Sequence, residues 1–198
     1  MVTVKASNLS KRYSRMLFRD MSFCVTTGQS LAIAGPNGSG KSTLLKIIAG
    51  VMTPDSGNVA YWYNDKPVDT AYIRNYIGFA APYINVYKYL TALENIAFAI
   101  GTVDDDAVQL LDVLGLSPHS NTMLMFYSTG MIQRVKLALA FLKKASVLCL
   151  DEPGSNLDEQ GKRVLFSLLE KVQPTTAIFI ATNDAHELNF CKRSIVLD

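Results

Sequence analysis

Residues 35–43 read Gly-Pro-Asn-Gly-Ser-Gly-Lys-Ser-Thr, which satisfies G-x-x-x-x-G-K-[ST] with Gly35, Gly40, Lys41 and Ser42 at the fixed positions. These residue types suit a polyphosphate. Glycines at 35, 38 and 40 let successive backbone N–H groups turn inward around phosphate oxygens, with Pro36, Asn37 and Ser39 filling the loop. Lys41 reaches toward β- and γ-phosphates, the Ser42 hydroxyl is a Mg²⁺ ligand, and Thr43 continues the helix whose N-terminus adds partial positive charge. The expectation is a nucleoside triphosphate site.

A second group of acids could complete that chemistry. Val147-Leu148-Cys149-Leu150-Asp151-Glu152 is an apolar run ending in two carboxylates. A run this apolar reads as a central strand whose end lies at the carboxyl edge of a parallel sheet, where ligands bind. Asp151 can hold Mg²⁺, and Glu152, one residue on, can deprotonate a water aimed at the γ-phosphate.

The elements around these residues follow from patterning. Ser30–Ala34 is a buried strand feeding the glycine loop, and residues 42–49 form a helix that stops at Gly50. Strands are expected at Val2–Ser7 and Asp20–Thr26 on either side of a polar stretch, and then at Asn58–Tyr63 and Tyr76–Ala80. From about residue 87 to 144 the pattern becomes helical, over Thr91–Ile100, from Asp104 to Gly115, and over Ser128–Lys144. Strand and helix then alternate: Ser146–Asp151, Leu157–Val172, Thr176–Thr182, a short helix near Ala185–Phe190, and Ser194–Leu197. That alternation implies a mostly parallel sheet covered on both faces. Asp104-Asp105-Asp106 reads as a solvated first turn that complements a helix dipole.

Composition narrows the classes. The 198 residues carry 19 Lys and Arg against 17 Asp and Glu, and the basic pairs are scattered, so no nucleic-acid partner is expected. Cys24, Cys149 and Cys191 have no metal spacing; Cys24 and Cys149 lie in apolar runs and read as buried. The first residues lack the apolar core of a signal peptide, and no run approaches the roughly 20 apolar residues of a membrane span.

Asp151-Glu152-Pro153 followed by Ser155-Asn156-Leu157-Asp158 resembles the Walker B and D-loop of ATP-binding-cassette (ABC) transporter nucleotide-binding subunits, of the small single-cassette type. The resemblance spans essentially the whole chain, with the motifs in the family's order. Tyr13, 22 residues before Gly35, resembles the aromatic that stacks on adenine. Leu90–Asn95 resembles the entry to the family's helical subdomain. Tyr127–Arg134 stands where the signature L-S-G-G-Q-x-Q-R belongs, with Ser128 and Gly130 retained and Thr129 and Met131 substituted. The resemblance implies one ABC domain over 1–198. It is an α/β P-loop NTPase fold with a mostly parallel core, an N-terminal antiparallel β subdomain and a helical subdomain inserted at about 87–144.

By the same resemblance, ATP and Mg²⁺ are the cofactors, and Ser128 and Gly130 act on ATP held by a second cassette in a homodimer or heterodimer. A transmembrane permease subunit is the further partner, with the chain on the cytoplasmic, inner face of the membrane. Two helpers depart from the family. Pro82 stands at the Q-loop glutamine, with Tyr83 or Asn85 as possible substitutes. Asn183 stands at the switch histidine, where its amide can donate a hydrogen bond but carries no charge. His186 reads as an exposed helix residue. The reading is a Mg-dependent ATPase with Lys41, Glu152 and Asn183 as catalytic residues, slower than its relatives. The alternatives are an ATP-binding regulatory cassette with little hydrolysis and a soluble non-transport ABC ATPase.

Overall fold

The chain builds one antiparallel and one parallel sheet, joined through a shared core, with a helical insert interrupting the parallel one. The computed structural model describes residues 1–198. The antiparallel sheet has the order β2-β1-β4-β5, where β1 is Val2–Arg12, β2 Met16–Thr26, β4 Ser56–Tyr63 and β5 Lys66–Val68. The parallel sheet has the order β6-β7-β8-β3-β9, from β3 (Ser30–Ala34), β6 (Ile77–Ala80), β7 (Val147–Asp151), β8 (Ala177–Ala181) and β9 (Arg193–Val196).

Strict period-two alternation explains how the parallel sheet feeds two cores. Leu31 and Ile33, Val147 and Cys149, and Ala177 and Phe179 pack toward the antiparallel sheet and α1 (Lys41–Ile48). Ala32, Leu148 and Leu150, and Ile178 and Ile180 pack on the opposite face, against α4 (Thr129–Leu142) and α5 (Glu159–Val172). A third core fills the insert, where α2 (Ala92–Ile100) and α3 (Asp105–Val113) pack on α4 through Ile96, Leu111 and Val135. The last helix, α6, is Ala185–Phe190.

Caps set the helix starts. Thr91 forms a capping box with Glu94, while Asp104, Ser128 and Asp158 each accept a backbone N–H at the start of α3, α4 and α5. Asp104 is therefore a cap, and Asp106 pairs with Lys144.

Two expectations need correction. The polar stretch between the first two strands is itself strand: β1 runs on to Arg12 and β2 starts at Met16, joined by a tight turn at residues 13–15. Register shifts at Ala6/Leu9, Leu9/Lys11 and Lys11/Arg12, with Asn8 and Asp20 at positive φ, break the alternation by which such strands are recognised. Cys24 is exposed rather than buried, because it points away from its buried β2 neighbours Phe23 and Val25. Cys149 is fully buried as expected.

Candidate nucleotide site

Sheet order explains how distant residues meet. Ile33 of β3 and Asp151 of β7 both pair with Ala181 of β8, so the three strands end level. The chain leaves these ends as the glycine loop, as Glu152 and as Thr182-Asn183.

The loop is held in a conformation open mainly to glycine. Gly35 (φ 142°), Gly38 (84°) and Gly40 (106°) are all left-handed. At Gly35 a Cβ would lie 2.3 Å from the Leu197 carbonyl oxygen and 2.7 Å from Ser39 Oγ, so the loop is pressed against the residue that follows β9. Ser39 is buried, and its hydroxyl has no hydrogen-bond partner. Lys41 lies back across the loop, its Nζ donating to the carbonyls of Gly35 (2.7 Å) and Pro36 (3.2 Å). Gly40 is the N-cap of α1, so the helix N-terminus opens into the loop.

Eight expected or adjoining residues line one cleft of about 410 Å³: Tyr13, Asn37, Gly38, Gly40, Lys41, Ser42, Thr43 and Glu152, with Leu17 beside them. Tyr13 stands in the β1–β2 turn, exposed, with its hydroxyl 3.4 Å from Met52 Sδ. Glu152 and Asn37 also line an adjoining cleft that contains Asn183, whose amide Nδ2 donates to Asn37 Oδ1 at 3.3 Å. His186 is exposed, and its backbone N–H is taken up by the Asp184 cap of α6.

Asp151 is buried at the end of β7, beside Ser42. Burial raises its carboxyl above the usual range, and the Glu152 charge adds to this, while the Ser42 hydroxyl and the charges of Lys41 and Lys46 oppose it. The donor set of one carboxylate and one hydroxyl is all oxygen, which fits Mg²⁺. No group of three or more His, Cys, Asp or Glu is placed so that it could hold a metal ion by itself. Such a cation would therefore take its remaining ligands from phosphate and water, as Mg²⁺ does in nucleotide sites.

Ser128 and Gly130 do not line the cleft over their own phosphate loop. Ser128 caps α4 at an exposed position, and Gly130 packs against the Asn156 backbone, where a Cβ would lie 2.7 Å from its carbonyl oxygen.

Three contacts escaped the sequence reading or were left open by it. Arg15 Nη2 donates to the Gly38 carbonyl at 2.9 Å, tying the Tyr13 turn to the phosphate loop. Its only signal was a basic residue two positions after Tyr13. Tyr83, one of the two suggested substitutes, reaches the site. Burial and the nearby Asp151 carboxylate push its hydroxyl well above the ordinary value, and Lys46 Nζ sits 4.0 Å from its ring centroid. Pro82 presents only its carbonyl, which accepts from Lys136 Nζ.

Comparisons with known proteins bear on the family and the fold. A family model described as ABC transporter matches residues 18–155. The sulfate/thiosulfate import ATP-binding protein CysA 2 of Rhizobium meliloti (strain 1021) is 31% identical over 209 residues, covering 98% of this chain and 57% of that protein. The linearmycin resistance ATP-binding protein LnrL of Bacillus subtilis (strain 168) is 29% identical, covering 98% of this chain and 66% of that protein. The chain thus spans less than two thirds of either relative. Among solved structures, the dimeric bacterial ABC transporter cassette MJ0796 superposes with a TM-score of 0.85 at 26% identity, covering 98% of this chain and 94% of that one. A dimeric post-hydrolysis state of MJ0796, bound to ADP and Pi, gives 0.86 at 27%, with the same two coverages.

Proposed function

This chain belongs to the ABC transporter family, and from that premise we propose that it binds Mg-ATP, hydrolyses it as one of two paired cassettes, and energises transport by a separate membrane subunit. The observation that carries the proposal is the convergence of Lys41, Ser42, Thr43 and Glu152 on one cleft, with Asn183 in the cleft beside it.

In the proposed mechanism the adenine stacks on Tyr13, and the N–H groups of residues 35–43 hold the phosphates at the α1 N-terminus. Lys41 exchanges its two loop carbonyls for phosphate oxygens. Ser42 and Asp151 would hold Mg²⁺, which would supply positive charge to the phosphates. Glu152 takes a proton from a water whose oxygen bonds to the γ-phosphorus as the bond to the β–γ bridging oxygen breaks. Asn183 donates to the γ-phosphate as its charge redistributes. Ser128 and Gly130 lie away from their own phosphate loop, which supports their acting on ATP bound to a second cassette.

No helix of the chain is long and apolar enough to cross a membrane, and in the proposed function a transmembrane permease supplies the path. Exposed aromatics on and around the insert, Tyr87, Tyr89, Phe98 and Phe126, support docking of such a subunit at the inner face. A second reading, a regulatory cassette that binds ATP with little hydrolysis, is favoured by the neutral Asn183 amide already engaged by Asn37.

Phosphate release from purified protein with Mg-ATP, against Glu152→Gln as control, separates the two. Turnover lost in the variant supports the ATPase; equal rates support the regulatory cassette.

A further inference from the structure

The Gly154 N–H donates to Glu187 Oε1 at 2.7 Å, and Gln133 Nε2 donates to the Pro153 carbonyl oxygen at 2.9 Å. That nitrogen and that oxygen belong to one peptide unit. It is held at one end by a side chain of α4 and at the other by a side chain of α6. Both side chains are withdrawn from solvent, with Gln133 3% and Glu187 2% exposed. The fit is close: a Cβ at Gly154 would lie 2.6 Å from Glu187 Oε1.

Glu152 directly precedes this unit and is strained. Its φ of 47° is left-handed, a region that disfavours residues with a Cβ. Such a conformation persists only where the surrounding structure over-determines it. On the strand side, the Glu152 N–H donates to the Ala181 carbonyl at 2.8 Å, and its own carbonyl accepts from Ser155 N at 3.0 Å. On the other side Pro153 has a nearly fixed φ, so its ψ is the one soft torsion between peptide 153–154 and the peptide that Glu152 begins.

We propose that Gln133 and Glu187 are positioning residues that grip the 153–154 peptide and thereby hold the Glu152 carboxylate over the phosphate cleft. This rests on the reading of Glu152 as the base. Other contacts join α4 to the same loop, including the Arg134–Asp158 ion pair at 2.7 Å. Among them Gln133 alone bonds the peptide next to Glu152. The grip fastens the base to the helix that begins at Ser128 and, through α6, to the segment that follows Asn183.

The test is a double-mutant cycle on turnover. Gln133→Met keeps side-chain length and removes the donor. Glu187→Leu removes the acceptor, and Glu187→Gln keeps an acceptor at the same place. Each disruptive single change leaves a buried backbone group unpaired and lowers kcat about tenfold, with the affinity for a non-hydrolysable ATP analogue within about twofold of wild type. Because both side chains act on one peptide unit, the double variant loses about as much as the worse single one. Glu187→Gln returns kcat to within about threefold of wild type. Should Glu187→Leu fail to fold, Gln133→Met and Glu187→Gln still decide the matter: the first must fall in kcat without losing affinity, and the second must not. Unchanged kcat in Gln133→Met, losses that multiply to about a hundredfold, or affinity falling in step with kcat would overturn the inference alone. Wild-type protein without turnover that depends on Glu152 would overturn the ATPase reading and the inference together.

Discussion

Replacing Asn183 by His and by Ala measures how much of the transition-state field this chain lacks. Asn183 follows β8, is exposed, and places its amide 3.3 Å from Asn37 of the phosphate loop, in the cleft it shares with Glu152. It is therefore a neutral donor within reach of the γ-phosphate position. Losing one preorganised donor at a reacting anion costs about 10²-fold in kcat, so Asn183→Ala falls by that amount. A charged donor bonds about twice as strongly as a neutral one. The gain is roughly 1–1.5 kcal/mol, so Asn183→His rises about tenfold where its imidazole is protonated. With an ordinary imidazole value near 6.5, the rise fades above about pH 7.5, a dependence the wild-type amide lacks. The assay is phosphate release at saturating Mg-ATP from pH 6 to 8, with Glu152→Gln as blank. If Asn183→Ala keeps wild-type turnover, or Asn183→His does not rise at low pH, the amide is not a transition-state donor.

Two predictions concern stability. The buried Tyr61 hydroxyl donates to the Ile48 carbonyl at 2.9 Å, closing the end of α1 against β4. Tyr61→Phe leaves that carbonyl unpaired and costs about 1–2 kcal/mol, a fall in Tm of roughly 3–6 °C by calorimetry. Burial raises the Glu187 carboxyl above its ordinary 4.5, although the Thr182 hydroxyl and the hydrogen bond from the Gly154 N–H oppose it. A group raised in the fold stabilises fully below its unfolded value and loses that contribution as pH climbs through the folded one. The Tm of wild type therefore falls relative to Glu187→Gln as pH rises above 4.5, and parallel curves would contradict this.

The parts of this site that a sequence displays are those built from contiguous residues. The phosphate loop, the β7 run ending in Asp151-Glu152 and the Ser128 cap each carry residue type and spacing together, and the structure places them at the expected strand ends and helix start. The antiparallel hairpin was half legible, because bulges near Asn8 and Lys11 disrupt the alternation that marks a strand. Cys24 shows the complementary error: an apolar run signals a strand but not which face a given residue takes.

Contacts between distant segments left no local trace. Arg15 on Gly38, Tyr83 against Asp151, and the Gln133 and Glu187 grip on one peptide unit depend on sheet order and helix docking. Pro82 illustrates the limit of reading by position. Its side chain does nothing for the site, yet the loop it begins delivers Tyr83 there.

The claim on which the account turns is that ATP is enclosed between two cassettes, and the solution mass of Glu152→Gln with and without Mg-ATP tests it directly. Light scattering should find the 21.8 kDa chain as a monomer without nucleotide and at twice that mass with saturating Mg-ATP. Ser128→Arg in the same background should return it to the monomer. A variant that binds Mg-ATP tightly yet stays monomeric, alone and mixed with wild-type chain, would contradict an active site shared between two copies.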